Sequence, residues 1–219
     1  MHLLFAAALL AATPAGPAPG TYTYAGSIAG RQLVQTTMTV AASAQGTTLN
    51  ESAAGTLNGD RQTAQTVLSL DTALDPQSYS LAYTAAGKAQ HSSLAFSDKG
   101  AWETSDGAPQ IMFTLAANTR HFVVLDPTMF SGFFALPAQI NAWGSMPVTA
   151  IAPMFRHSEP LSVNSNAAGA ARPANVPQSD SAVSLSGPAG QLTLWYDPAT
   201  FIVDELDVPS QDAKVVRQR

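Results

Sequence analysis

The chain has 219 residues, with 15 Asp and Glu against 10 Lys and Arg and a formal net charge of −5. Charged residues make up 11% of it, less than half of the roughly 25% usual for soluble domains, so its polarity comes from Ser, Thr, Gln and Asn. Three lysines and a negative balance argue against a nucleic-acid partner bound through a basic surface. The lack of Cys excludes disulfides, thiolate metal sites, a Cys nucleophile and lipidation on an N-terminal Cys.

Residues 3–12 are an uninterrupted apolar run of ten, followed by Thr13, Pro14, Ala15 and Gly16. This length fits the apolar region of a signal peptide and falls short of the ~20 residues a membrane-spanning helix needs. Small residues at Thr13 and Ala15 predict cleavage after Ala15, with cleavage after Ala18 as the competitor; His2 stands where Lys or Arg is usual. Residues 1–15 therefore read as a signal peptide, and the mature chain as exported, periplasmic or secreted. No later segment has the length and apolarity of a transmembrane span. Residues 20–217 read as a single β-barrel-like domain.

From Gly20 to about Thr104 short β-rich runs alternate with turn residues. Tyr22 and Tyr24 share a face. Val34, Thr36, Met38 and Val40 alternate with Gln35, Thr37 and Thr39, a period of two. A strand follows over 47–53, and Asn58-Gly59 is a strong hairpin dipeptide because both residues tolerate positive φ. Ala64, Thr66, Leu68 and Leu70 continue the pattern, then Tyr79, Leu81 and Tyr83 after the Asp75-Pro76 turn. Turn signals roughly every 8–12 residues mark a sandwich or barrel of sequential hairpins.

The middle changes period. Asp126-Pro127 reads as N-cap and first helical position, and Met129, Phe133, Leu136, Ile140 and Trp143 recur at helical spacing, widened by Phe130 and Phe134. Pro137 predicts a kink or a split, and Gly144 a stop. Strands resume at 148–152 and 161–164. Residues 165–181, rich in Ala, Pro and Asn with one large apolar residue, read as a mobile loop. The segments 191–196 and 201–208 flank a turn at Asp197-Pro198.

Catalytic spacings are missing: there is no G-x-S-x-G elbow, S-x-x-K pair, H-E-x-x-H helix, Walker loop or G-x-G-x-x-G fingerprint. His91, His121 and His157 lie in separate segments without ligand spacing, so no metal site and no cofactor is expected. The run Arg156-His157-Ser158-Glu159 reads as a solvated turn, since adjacent strand residues face opposite sides.

The segment 68–79, Leu-x-Leu-Asp-x-x-Leu-x-Pro-x-x-Tyr, and the segments Leu194-Trp195-Tyr196-Asp197-Pro198 and Val208-Pro209-Ser210-Gln211 resemble stretches of uncharacterised exported bacterial barrel proteins. Those proteins are similar in turn to the half-barrels of periplasmic lipoprotein carriers (LolA-like). The resemblance implies a curved antiparallel sheet with a helix in its mouth and an apolar ligand, and carries over no binding residue.

The expected fold is mainly β: an open or closed antiparallel β-barrel of about ten strands with one helix packed across its mouth. The helix either plugs the concave face of the sheet as core or bounds an apolar cavity. In the second case Met129, Phe130, Phe133, Phe134, Ile140 and Trp143 are the ligand-binding residues, with Phe133 and Phe134 facing the cavity, and the partner is a lipid or other apolar small molecule. The leading expectation is a non-catalytic carrier or binding protein; the alternatives are a hydrolase with a non-contiguous site and a structural envelope protein without ligand.

Overall fold

Period-two alternation gives strands one wet face and one dry face, and a sheet with such a face must curl over something apolar. In the computed structural model, which describes residues 16–57, 59–126, 129–165, 167, 171–188 and 190–219, that something is a helix. The signal-peptide expectation for 1–15 and the Pro127 helix start lie outside the described residues, as does Asn58 of the hairpin dipeptide; Gly59 has φ +89°.

Eight strands run as an antiparallel meander: β1 (Gly20–Ile28), β2 (Arg31–Ser43), β3 (Gly46–Leu57), β4 (Asp60–Leu70), β5 (Pro76–Ala85), β6 (Lys88–Ser97), β7 (Gly100–Ser105) and β8 (Ile111–Phe113). Then come β9 (Phe122–Val124), the helix α1 (Ser131–Trp143) and β10 (Val148–Ala152). A second meander follows: β11 (His157–Asn164), β12 (Ser181–Gly187), β13 (Gly190–Tyr196), β14 (Val203–Val208) and β15 (Ala213–Gln218). β15 pairs with β1, so both meanders join in one open 15-stranded sheet with β8 and β9 at its ends. The number of strands exceeds the expected ten or so. β8 and β9 have three residues each, too short for a visible alternation, and β12 and β15 lie outside the strands expected from the sequence.

β9 and β10 are parallel, and a parallel pair needs a crossover; α1 is that crossover. It therefore lies inside the curl, against β3 and β4 on one side and β13 and β14 on the other. All residues from Ser131 to Ile140 are buried, so this is an inner helix, enclosed along that stretch, rather than one laid across an opening. Pro137 lies within it, and the chain forms one helix rather than two. Gly144 ends it as expected, with φ +84° and its N–H donating to the Ile140 carbonyl.

The expected alternation is present. Thr36, Met38 and Val40 of β2 and Ala64, Thr66, Leu68 and Leu70 of β4 are buried, with exposed residues between most of them. Tyr24, fully buried, donates its hydroxyl to the Val203 carbonyl (2.9 Å) and packs on Phe130 and Phe134. Gly132 permits the closest approach of helix to sheet: a Cβ there would stand 1.5 Å from the Val124 carbonyl oxygen of β9.

Residues 166 and 168–170 of the expected mobile loop lie outside the described residues. Val176 and Ala167 from this segment are buried with Ala182 and Trp195, in a small cluster separate from the main core. Since Leu194 belongs to the main core, Trp195 packs on the other face of β13. Arg172 lies over the Trp195 ring and donates to the Pro177 and Asp180 carbonyls. The segment ends at Asp180, whose carboxyl meets that of Asp204; Asp204 also receives Arg217 (3.3 Å) and Arg219 (2.9 Å).

Two predictions follow from this packing. Helix propensity alone would make Gly132→Ala a gain of about 1 kcal/mol. The overlap with Val124 reverses the sign, and urea unfolding should show a loss of about 3 kcal/mol or more. Burial and the neighbouring Asp204 and Asp197 push the Asp180 carboxyl up to about 7, against a weaker opposing pull from Arg172. A carboxyl raised on folding stabilises fully below its unfolded pKa and loses that contribution as pH rises through its folded one. The urea midpoint should therefore fall between about pH 4 and pH 7, and Asp180→Asn should flatten that slope.

Candidate functional site

The first turn of a helix leaves backbone N–H groups without intrahelical acceptors. In α1 the N-cap residue, Phe130, makes no side-chain cap bond, and the first turn holds no acidic residue. Glu51 of β3 supplies the acceptor instead. Its carboxylate receives the Phe130 N–H (2.9 Å to Oε1 and 3.0 Å to Oε2) and the Ser131 N–H (2.8 Å to Oε2). Thr66, directly opposite on β4, donates to Glu51 Oε2 (3.3 Å) and to Ser131 Oγ (3.0 Å). Asp126, expected as the N-cap, lies five residues before Ser131 and accepts the Met154 N–H through Oδ2 (3.2 Å).

Glu51 is not among the residues expected at the site, although the sequence carries a signal for it. Thr47, Leu49, Glu51 and Ala53 share one face of β3, so strict alternation turns a carboxylate inward among core residues. Glu51 is 3% exposed, and burial pushes its carboxyl above the ordinary carboxylate range against the pull of its donors.

Beside this cap lies a cavity of about 580 Å³. Its inner wall is the start of the helix, from Met129, Phe130 and Phe133, with Leu125, Thr36 and Glu51. Ala150 and Ala152 of β10 and Leu161 of β11 form a side wall, and Leu185 and Leu206 another. The mouth is built from strand ends and connections: Ile28 near the β1–β2 turn, Gly187, Pro188 and Gly190 where β12 meets β13, Gln211 between β14 and β15, and Phe155 before β11. Ile28 and Phe155 stand 44% and 60% exposed at this rim.

Of the six residues expected to bind ligand, three line the cavity: Met129, Phe130 and Phe133. The other three have different neighbours. Phe134 is fully buried against Tyr22, Tyr24 and Phe130, since one residue's advance along a helix turns the side chain about 100°. Ile140 is core, and Trp143 stacks on His121 (4.2 Å between ring centroids) while donating its indole N–H to the Ala73 carbonyl (2.9 Å).

The histidines are separate. His91 meets Asp106 (2.8 Å), His121 meets Asp75 (2.6 Å), and His157 lies 3.9 Å from Glu159. Among the described residues no three His, Asp or Glu side chains converge as metal ligands. The run 156–159 is not a solvated turn. Arg156 caps a short 3-10 turn (Pro153–Phe155), reaches the fully buried Glu103 (2.9 Å) and donates to the Pro109 carbonyl, while His157 opens β11. His157 and Glu159, two apart, both line the cavity.

Removal of the Glu51 carboxylate should loosen the helix start. Glu51→Ala leaves the Phe130 and Ser131 N–H groups without their acceptor and should cost about 3 kcal/mol or more in chemical denaturation. Glu51→Gln keeps one acceptor and should cost less. Because folding raises the Glu51 carboxyl, its contribution is fully present below the unfolded pKa and diminishes as pH rises. Wild-type stability should accordingly fall relative to Glu51→Gln as pH increases above about 4.

No family model matches the chain, and no curated protein matches it. Among solved structures it is similar to a DUF1089 family protein from Pseudomonas aeruginosa, at 9% sequence identity over 96% of this chain and 98% of that one, with a TM-score of 0.48. None of these findings ties the chain to the lipoprotein-carrier half-barrels. Among the described residues no helix is long and apolar enough to cross a membrane.

Proposed function

We propose that the protein is an exported, non-catalytic binding protein or carrier for an apolar ligand such as a lipid, its curled sheet acting as a half-open barrel. The observation that carries this reading is the cavity of about 580 Å³ between the start of α1 and the strand-end connections, within the size range of small-molecule sites. Its lining is mostly apolar, with Leu, Val, Ala and Phe, and Met129 adds an unbranched side chain that adapts to a flexible acyl chain. Ile28 and Phe155 extend the apolar surface to the rim, where a ligand would enter. Each methylene transferred from water into such walls is worth about 0.8 kcal/mol, so a partly enclosed alkyl chain gains measurable affinity.

Native mass spectrometry of protein recovered from its own compartment tests both parts of the proposal. The expected spectrum lacks the mass of residues 1–15 or 1–18 and carries a co-purified lipid. Phe133→Ala separates a cavity from a filled core. A filled core predicts a loss of about 3–5 kcal/mol and no binding of an apolar probe in either form. The proposed cavity predicts a smaller loss and a changed probe affinity, read by urea unfolding and fluorescence titration. Wild-type protein with no lipid and no probe binding would end the carrier reading.

A further inference from the structure

The head group of the ligand can be inferred from the charges that face the cavity. Among the described residues, four ionisable side chains belong to its lining: Glu51, His157, Glu159 and Lys214. Lys214 is the one lysine or arginine among them, and its ammonium is engaged elsewhere. Nζ stands 3.5 Å from Glu205 Oε1 and 3.9 Å from Asp207 Oδ1, two carboxylates outside the lining. Glu159 is on β11 opposite Ala150, which is buried and also lines the cavity, so its carboxylate shares the inward side. Its side chain is 23% exposed, and among the described residues it meets His157 at 3.9 Å and no lysine or arginine. Glu51, at the inner wall, has its oxygens turned to N–H and O–H donors.

We infer, on the basis of the binding reading above, that the cavity takes a long-chain amphiphile whose head group donates hydrogen bonds and bears no net negative charge. A hydroxyl or ammonium head gives Glu159 the donors that the protein does not supply. A carboxylate or phosphate head would enter beside the Glu159 carboxylate on the side wall, with the nearby ammonium already shared between two acids. In a site walled by apolar side chains, that repulsion is poorly screened. The selection is thus against free fatty acids and anionic phospholipids, and it is made by the walls rather than by a dedicated pocket for the head.

The test compares three probes of equal chain length: hexadecylamine, monopalmitoylglycerol and palmitic acid. Each is titrated into the wild-type protein below its aggregation concentration at about pH 8, where the acid is ionised. The amine and the glyceride should bind about tenfold tighter than palmitate or better. Glu159→Gln should narrow the gap by strengthening palmitate and weakening the amine; Glu159 caps no helix, so the variant should fold. Palmitate binding as tightly as the other two, or a gap that Glu159→Gln leaves unchanged, would overturn the inference while leaving the carrier reading standing. Failure of all three probes would count against the carrier reading itself.

Discussion

A carboxylate buried at the start of a buried helix governs how the interior is divided. The N-terminal N–H groups of α1 cannot reach water, because every residue from Ser131 to Ile140 is inside the fold. Leaving such donors unpaired would cost several kcal/mol, and the residue at the N-cap, Phe130, has no capping side chain. Glu51 solves this from a different element, at the expense of burying a carboxyl whose ionisation burial disfavours. The helix dipole favours that charge, since partial positive charge collects at the N-terminus. The bond between β3 and α1 is therefore mutual. Neither the carboxylate nor the helix start would be stable in this interior without the other.

The far end of the helix is held by a different device. Gln139 donates to the Leu74 carbonyl (3.0 Å) and Trp143 to the Ala73 carbonyl (2.9 Å), both in the β4–β5 connection. That connection is itself fixed by Asp71, whose carboxylate accepts the Ala73 and Asp75 N–H groups, while Leu74 turns into the core at φ +66°. This gives the 68–79 pattern a physical meaning: its leucines and tyrosine are core, and its aspartate folds the platform that receives the helix. Clamped at both ends, α1 cannot slide along the sheet to fill the space beyond its first turn. The cavity is thus a consequence of where Glu51 and the 71–75 connection stand.

Much of this was legible from the residues. The two-residue period marks the inner faces of β2 and β4, and the helical period marks α1 and its end at Gly144. What the pattern does not carry is anything decided by a distant partner. The helix begins at Ser131 rather than near Asp126 because its acceptor comes from β3, 79 residues away in sequence from Phe130. A helical stripe predicts which residues are apolar, yet both the cavity and the core accept apolar residues. Phe133 and Phe134 are adjacent and alike in composition, and their separation into cavity wall and core depends on Tyr22 and Tyr24 of another strand. Glu51 was readable in principle, as a charge on the inward register of β3. The role of that charge needed the helix to be placed first.

The same reasoning explains how a sheet of 15 strands avoids exposed edges without closing as a ladder. The ends, β8 and β9, are three residues each, the shortest strands of the sheet, and so present few unpaired backbone groups. Side chains draw the ends together. Arg156 reaches from beyond β10 to Glu103 of β7, which also accepts from Ser92 (3.2 Å) and Ser105; Phe122 of β9 packs on Phe96 of β6; and the Ala116 N–H donates to Thr149 Oγ1 (2.9 Å). Glu103 is fully buried, so its pairing with Arg156 is a committed one: loss of the guanidinium would strand a charge in the interior. Two buried glutamates thus perform parallel tasks. Glu51 ties the helix to one meander, and Glu103 ties that meander to the segment after β10. Both are made possible by the alternation that turned them inward, in a chain otherwise sparing of charge.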